Sequence, residues 1–165
     1  MASSPKRIIP FRGWAARATV YEKGVSDGGA DVLPPIDCYV LGSRTYEHAL
    51  ELGWPYGDTP TFVTTSRKLP CTRKSVEFYS GDLKKLLGEI LAPRYKNIWV
   101  VGGAMLGQSF LKRGLVDEIN LMLAPVTLGE GLRLFSDSGI EQQWHLKNVV
   151  GYKNGYVELV YRRPA

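Results

Sequence analysis

Residues 97–114 read NIWVVGGAMLGQSFLKRG, an apolar run that ends in two adjacent glycines and leads into a helical pattern. The segment NIWVV predicts a central parallel strand, because a strand buried on both faces is almost continuously apolar. Leu106, Phe110 and Leu111 have the spacing of one helix face, and Gly114 suits the helix end. The stretch therefore predicts a strand, a glycine turn and a helix.

The same alternation of strand and helix patterns continues on both sides of this stretch. Strands are predicted at 36–41, 60–65, 76–79 and 117–124, and weaker strand patterns occur at 7–11 and 18–22. Helices are predicted at 45–52 and 82–91, the second with Ser80 as its cap and Asp82 in its first turn. Residues 143–150 and 156–163 predict a hairpin with Lys153, Asn154 and Gly155 in its turn. The pattern favours a parallel α/β core that finishes in antiparallel strands.

Length and composition limit the possible classes of protein. The chain has 165 residues, of which 44% are hydrophobic and 22% charged, as expected for one globular domain. It lacks an apolar run of the roughly 20 residues that cross a bilayer, and its start lacks a signal-peptide pattern, so a soluble cytoplasmic protein without membrane partners is expected. The net charge of +5 is spread over small basic groups. It favours anionic ligands such as phosphates, although solvated basic faces explain most of it.

Polar residues and glycines recur where the predicted strands end. The three segments are Gly42-Ser43-Arg44-Thr45, Thr64-Thr65-Ser66-Arg67 and Gly102-Gly103-Ala104. Ligands of open parallel sheets lie beyond the carboxyl ends of the strands, where backbone N–H groups at helix starts bind oxyanions. Each segment also has a simpler interpretation, as a tight turn, a helix cap or an ordinary strand end. Their joint occurrence indicates a site for a pyrophosphate.

Other chemistries have less support in the sequence. The chain has neither the dinucleotide pattern G-x-G-x-x-G nor the nucleotide pattern G-x-x-x-x-G-K-[ST]. His48 and His145 lack a neighbouring cluster of carboxylates, and Cys38 and Cys71 lack metal-ligand spacing, so no metal site is expected. No platform of aromatic and basic residues favours nucleic acid as a partner.

The segments DCYVLGSRTYE (37–47), TFVTTSRKLP (61–70) and IWVVGGAMLGQSFLKRGLVDEINLMLAPVTLGEGLRLF (98–135) together resemble the dihydrofolate reductase superfamily. The nearest resemblance is to its branch related to the reductase domain of riboflavin biosynthesis (RibD C-terminal-like). It covers roughly residues 27–163. It implies a three-layer α/β/α fold with a mostly parallel central sheet and an antiparallel C-terminal strand, and NADPH as the hydride donor.

The resemblance also assigns roles to residues in the three strand-end segments. Those implied at the cofactor phosphates are Gly42, Ser43, Arg44 and Thr45. Those implied near the adenosine 2′-phosphate are Thr64, Ser66 and Arg67. Those implied along the pyrophosphate and the nicotinamide are Gly102, Gly103, Ala104, Met105 and Leu106.

The amino-terminal region departs from the family pattern. Residues 1–26 are an atypical segment before a single domain at 27–165, and Pro34-Pro35 leads almost directly into a strand where relatives have a helix. Asp31 and Asp27 are the available carboxylates for protonating or orienting a substrate ring, but Asp-Gly-Gly could also be a simple turn. In this family the altered region forms one wall of the substrate cleft.

The functional expectation is an NADPH-dependent reductase of a small heterocycle. The substrate would be of the pteridine or ribosylaminopyrimidine type, as for 5-amino-6-(5-phosphoribosylamino)uracil reductase or dihydrofolate reductase. The alternative is a catalytically impaired nucleotide-binding protein that kept the phosphate-binding segments. The strand at 117–124 could pair across a homodimer or within one chain.

Overall fold

The computed structural model describes residues 7–10, 35–127, 129–130, 133–135, 139 and 141–164. The strands are β1 (Arg7–Pro10), β2 (Cys38–Gly42), β3 (Thr61–Thr64), β4 (Val76–Tyr79), β5 (Asn97–Gly102), β6 (Glu118–Leu123), β7 (His145–Gly151) and β8 (Val157–Arg162). The helices are α1 (Ser43–Glu51), α2 (Leu83–Lys85), which continues as a π-helical segment over Leu86–Leu91, and α3 (Ala104–Lys112). The predicted strands and helices in this part of the chain are therefore present, with shifted ends.

The strands form a parallel unit and an antiparallel unit that lie next to each other. Five parallel strands have the order β1-β5-β2-β3-β4. The other three have the order β6-β8-β7, and both of their pairings are antiparallel. Because β1 also contacts β6, the two units adjoin at these strands. The predicted parallel core that finishes in antiparallel strands is therefore present, and the antiparallel strands form a three-stranded sheet of their own.

Alternate residues of the parallel strands face two separate apolar cores. On one side, Val40 of β2 and Val100 of β5 pack with Leu86, Leu91 and Phe110 from the π-helical segment and α3. On the other side, Leu41 and Val101 pack with Tyr46 and Ala49 of α1. Since successive residues of a strand point to opposite faces, helices cover both faces of the sheet. This arrangement is the expected α/β/α layering.

The cap of α2 was predicted at the wrong residue. The cap is Asp82, whose Oδ1 atom accepts hydrogen bonds from the backbone N–H groups of Lys84 (2.8 Å) and Lys85 (3.1 Å). Helix α2 begins at Leu83, so Asp82 precedes the first turn and Ser80 lies too far upstream to cap it. The leucine spacing nevertheless identified the buried face correctly, because Leu83, Leu86 and Leu91 are all buried.

A buried polar network links the strands of the antiparallel unit. Glu158 of β8 is 8% exposed, and its carboxylate accepts hydrogen bonds from Asn120 Nδ2 (2.6 Å) and the Tyr152 hydroxyl (2.5 Å). Strand β6 pairs with β8 along its whole length, so the strand predicted at 117–124 has its partner within this chain. The hydrogen bond from Gly155 N–H to Tyr152 O closes the predicted hairpin turn.

Several predictions concern residues outside the described ranges. These are Asp27, Asp31, the strand at 18–22 and the boundary between residues 26 and 27. Within the described ranges, no helix combines the length and apolar character that a membrane-spanning helix requires.

Candidate functional site

The carboxyl ends of β2, β3 and β5 lie side by side at one edge of the parallel sheet. In the strand register, Leu41 of β2 lies opposite Gly102 of β5, and Gly42 lies opposite Thr64 of β3. The β2 end is therefore flanked on both sides by the other two predicted segments. The sequence alone predicted that these ends share an edge, and the strand order makes them immediate neighbours.

Two of these strand ends lead directly into helices whose first turns lack a side-chain cap. Gly42 is the N-cap of α1 and Gly103 is the N-cap of α3, and no side chain of the described residues caps either one. Helix α2 contrasts with both, since Asp82 occupies its first N–H groups. The first N–H groups of a helix have no partner within the helix, and the helix dipole adds partial positive charge there. The α1 and α3 starts can therefore bind an anion.

The two glycine turns touch each other. A Cβ atom built on Gly42 would lie 3.5 Å from the Gly102 carbonyl oxygen and 3.7 Å from the Gly103 nitrogen. Among the described residues, the neighbour of one built on Gly103 is the Thr45 hydroxyl, at 3.8 Å. Gly102 has a φ of +116°, which strongly favours glycine. These residues bring the starts of α1 and α3 into contact with little side-chain bulk between them.

Two of the hydroxyl groups at the end of β3 form hydrogen bonds within the protein. The Thr64 hydroxyl donates a hydrogen bond to the Leu41 carbonyl oxygen at 3.2 Å, so it joins the ends of β3 and β2. The Thr65 hydroxyl accepts a hydrogen bond from the Arg67 N–H at 3.0 Å and shapes the turn. Ser66 is exposed. Thr65 was not among the predicted site residues, although it lies within the same segment.

Arg67 forms an ion pair that the sequence analysis missed. Its Nη1 and Nη2 atoms donate hydrogen bonds of 2.9 and 2.7 Å to the two carboxylate oxygens of Glu47, which lies on α1. The bond from Arg67 lowers the pKa of Glu47, and the positive charges of Arg67 and Arg44 lower it further. Arg44 is exposed on the same helix. A compact group of charges therefore lies at the ends of β2 and β3.

The remaining predicted residues differ in what they present at this edge. Gly103 and Met105 are exposed, and Met105 is 81% exposed. Ser43, Thr45 and Ala104 are partly exposed. Leu106 instead packs its side chain against the apolar core, and its N–H donates to the Gly103 carbonyl oxygen at 3.0 Å.

Residues 39–158 match the protein family described as the RibD C-terminal domain. The chain belongs to this family. The uncharacterized protein YwjB of Bacillus subtilis (strain 168) is 31% identical over 144 residues, which are 86% of this chain and 82% of that protein. The 2,5-diamino-6-ribosylamino-4(3H)-pyrimidinone 5′-phosphate reductase of Aquifex aeolicus (strain VF5) is 28% identical over 106 residues, which are 58% of this chain and 42% of the reductase.

Solved structures share the architecture of this RibD C-terminal family member. A putative riboflavin biosynthesis protein from Shewanella sp. PV-4 superimposes with a TM-score of 0.78 at 21% identity, over 98% of this chain and 100% of that one. Dihydrofolate reductase from Enterococcus faecalis, solved with NADP(H), superimposes with a TM-score of 0.59 at 17% identity, over 78% and 74% of the two chains. At these identities the likeness shows the fold alone. It confirms the predicted dihydrofolate reductase-like fold.

Proposed function

We propose that this protein is an NADPH-dependent reductase of a small heterocycle of the pteridine or ribosylaminopyrimidine type. The observation that carries the proposal is the pair of uncapped helix starts, at Gly42 and Gly103, that touch at the carboxyl edge of the parallel sheet. Membership of the RibD C-terminal domain family supports it. So does the name of the Aquifex aeolicus relative, a reductase of a phosphorylated ribosylaminopyrimidinone.

The residues of this edge fit the phosphate groups of a dinucleotide. In the proposal, the N–H groups of the first turns of α1 and α3 hold the pyrophosphate, with Ser43 and Thr45 beside them. Arg44 and Arg67 supply positive charge, and Arg67 with Ser66 binds the 2′-phosphate that distinguishes NADPH from NADH. The solved Enterococcus faecalis enzyme with NADP(H) supports this choice of cofactor.

Thr64 has a different role in the proposal from the one that the family resemblance implies. Its hydroxyl proton is used in the hydrogen bond to the Leu41 carbonyl oxygen, so the hydroxyl can only accept a further hydrogen bond. A phosphate oxygen needs a donor. We therefore assign Thr64 to holding the ends of β2 and β3 together, and Ser66 to donating toward the phosphate.

The chain itself must align the reactants and supply a proton. The nicotinamide, when bound, supplies the hydride. Alignment of the reacting groups accounts for much of the acceleration in reactions of this kind. Met105 is exposed at the start of α3, and in the proposal its side chain and Ala104 line the nicotinamide side. Asp31 and Asp27 are the proposed residues for protonating or orienting the substrate ring.

Binding and turnover are separated by two measurements on the purified protein. Titration calorimetry measures NADPH binding, and absorbance at the NADPH band then follows oxidation with dihydropterins, dihydrofolate and phosphorylated ribosylaminopyrimidines. Oxidation of NADPH with one substrate class would identify the substrate class of the enzyme. Loss of turnover with retained NADPH binding in Asp31→Asn or Asp27→Asn would identify its proton donor. Binding without oxidation by any substrate would instead favour the catalytically impaired nucleotide-binding protein. Absence of NADPH binding would refute both.

A further inference from the structure

The phosphate binding proposed above does not explain the ion pair between Glu47 and Arg67. Glu47 accepts hydrogen bonds from both terminal nitrogens of Arg67, at 2.9 and 2.7 Å, although the two residues are 20 positions apart. Their side chains are 40% and 53% exposed, respectively, so both remain accessible from solvent. The Glu47 carboxylate thus accepts hydrogen bonds from the two terminal nitrogens of Arg67 that, in the proposal, bind the nucleotide.

The charge of this carboxylate opposes the charge of the arginines around it. The hydrogen bond from Arg67 is the largest influence that lowers the pKa of Glu47, so Glu47 stays ionised at neutral pH. Arg44 adds a favourable electrostatic contribution, so Glu47 lies within the influence of both guanidinium groups. With Glu47 ionised, Arg44 and Arg67 together offer one net positive charge instead of two.

We propose that Glu47 is a specificity-determining residue, which limits the preference for NADPH over NADH by neutralising Arg67 at the end of β3. This inference rests on the proposed function of the site. The 2′-phosphate of NADPH must compete with Glu47 for Arg67 and approaches a like charge, whereas NADH has only a hydroxyl group there. In Rossmann-fold proteins, an acidic side chain near the ribose suits the unphosphorylated cofactor and an arginine suits the phosphorylated one. Here both residue types are present in one pair.

Glu47→Gln tests the inference, because glutamine keeps the shape of the side chain and removes its charge. The measured quantity is the ratio of the NADH dissociation constant to the NADPH dissociation constant. Since exposed charges interact weakly, the ratio is expected to rise about two- to fivefold in the variant. The rise should diminish when ionic strength increases from about 0.05 M to about 0.5 M, because salt screens exposed charges.

Glu51→Gln is the matched control. Glu51 is the last residue of α1, one turn beyond Glu47, and it pairs with His48. This substitution therefore removes the same charge from the same helix without removing the carboxylate that pairs with Arg67. It is expected to change the ratio by less than half as much as Glu47→Gln. Glu47→Asp keeps the charge and is expected to leave the ratio close to that of the unmodified protein. Circular dichroism of each variant verifies that the fold is retained.

The outcomes distinguish this inference from the function on which it rests. If the unmodified protein binds neither NADPH nor NADH, the proposed function fails and the inference fails with it. If the protein binds NADPH but the ratio is unchanged in Glu47→Gln, the inference alone is wrong. A lower ratio would also overturn it, and would indicate that Glu47 orients Arg67 toward the phosphate.

Discussion

A Gly42→Asp variant would place a carboxylate at the N-cap of α1. Gly42 has φ −82° and ψ 163°, an extended conformation that any residue adopts and that N-cap residues usually have. The new Cβ would lie 3.5 Å from the Gly102 oxygen and 3.7 Å from the Gly103 nitrogen, which is ordinary contact. Aspartate instead of glycine at an N-cap adds a few tenths of a kcal/mol, and its charge at the helix start adds about 0.3–1 kcal/mol. The variant should therefore be as stable as the unmodified protein, or up to about 1 kcal/mol more stable.

The same carboxylate should strongly weaken nucleotide binding. The carboxylate would accept hydrogen bonds from the N–H groups that we assign to the pyrophosphate, and its negative charge would repel the pyrophosphate. A hydrogen bond to a charged group is worth about 1.5–3 kcal/mol, so the loss of one bond reduces affinity about tenfold or more. Urea unfolding measures the stability of the variant, and calorimetry with NADPH measures its affinity.

Asp82→Ala is the reciprocal control, because it removes a cap from a helix outside the proposed site. The variant loses the hydrogen bonds from Lys84 and Lys85, and its free energy of unfolding should fall by about 1 kcal/mol. Its NADPH affinity should not change. The reasoning is refuted if Gly42→Asp keeps full NADPH affinity, since the α1 start would then not hold the phosphates. It also fails if the variant loses several kcal/mol of stability, since weaker binding would then reflect a damaged fold.

Three further predictions concern separate features. Arg67→Ala should weaken NADPH binding much more than NADH binding. Arg94→Ala, which also removes an exposed arginine paired with a glutamate, should change the affinity for neither nucleotide. An equal loss of affinity for both nucleotides in Arg67→Ala would show that Arg67 does not bind the 2′-phosphate. Tyr152→Phe removes a donor to the buried Glu158 carboxylate, so urea unfolding should show a loss of about 1–2 kcal/mol, and an unchanged midpoint would contradict the network. Burial raises the pKa of Cys38 from 9.0 to about 12, so this thiol ionises at lower pH in the unfolded chain than in the folded protein. The free energy of unfolding should therefore fall as pH rises from 9 toward 12. Urea titrations at successive pH values should show a smaller fall in Cys38→Ala.

The sequence predicted most of the fold because its main signals are local. Continuous apolar runs identified the strands, and the leucine spacing after residue 82 identified a buried helix face. The glycines after two apolar runs predicted strand ends, although α1 begins at Ser43, two residues before its predicted start at Thr45. The cap of α2 was assigned to the wrong residue because Ser80 and Asp82 are both good capping residues, and only the backbone path determines which of them precedes the first turn.

The contacts within the candidate site could not be predicted, because they join distant parts of the chain. Glu47 was quoted only as part of a motif, and its pairing with Arg67 depends on how α1 packs beside the end of β3. Likewise, nothing local shows that the Thr64 hydroxyl bonds to the Leu41 carbonyl oxygen. One available signal was the spacing of Arg44 and Glu47, which lie three residues apart on a helix and hence on one face.

The most direct test is titration calorimetry of the purified, folded protein with NADPH, compared with its Gly42→Asp variant. We expect one NADPH molecule to bind per chain and the variant to bind at least about tenfold more weakly, because we propose that the N–H groups at the start of α1 hold the phosphates. Absence of a binding isotherm for the unmodified protein, with its fold verified by circular dichroism, would contradict the proposal that this edge of the sheet holds a dinucleotide.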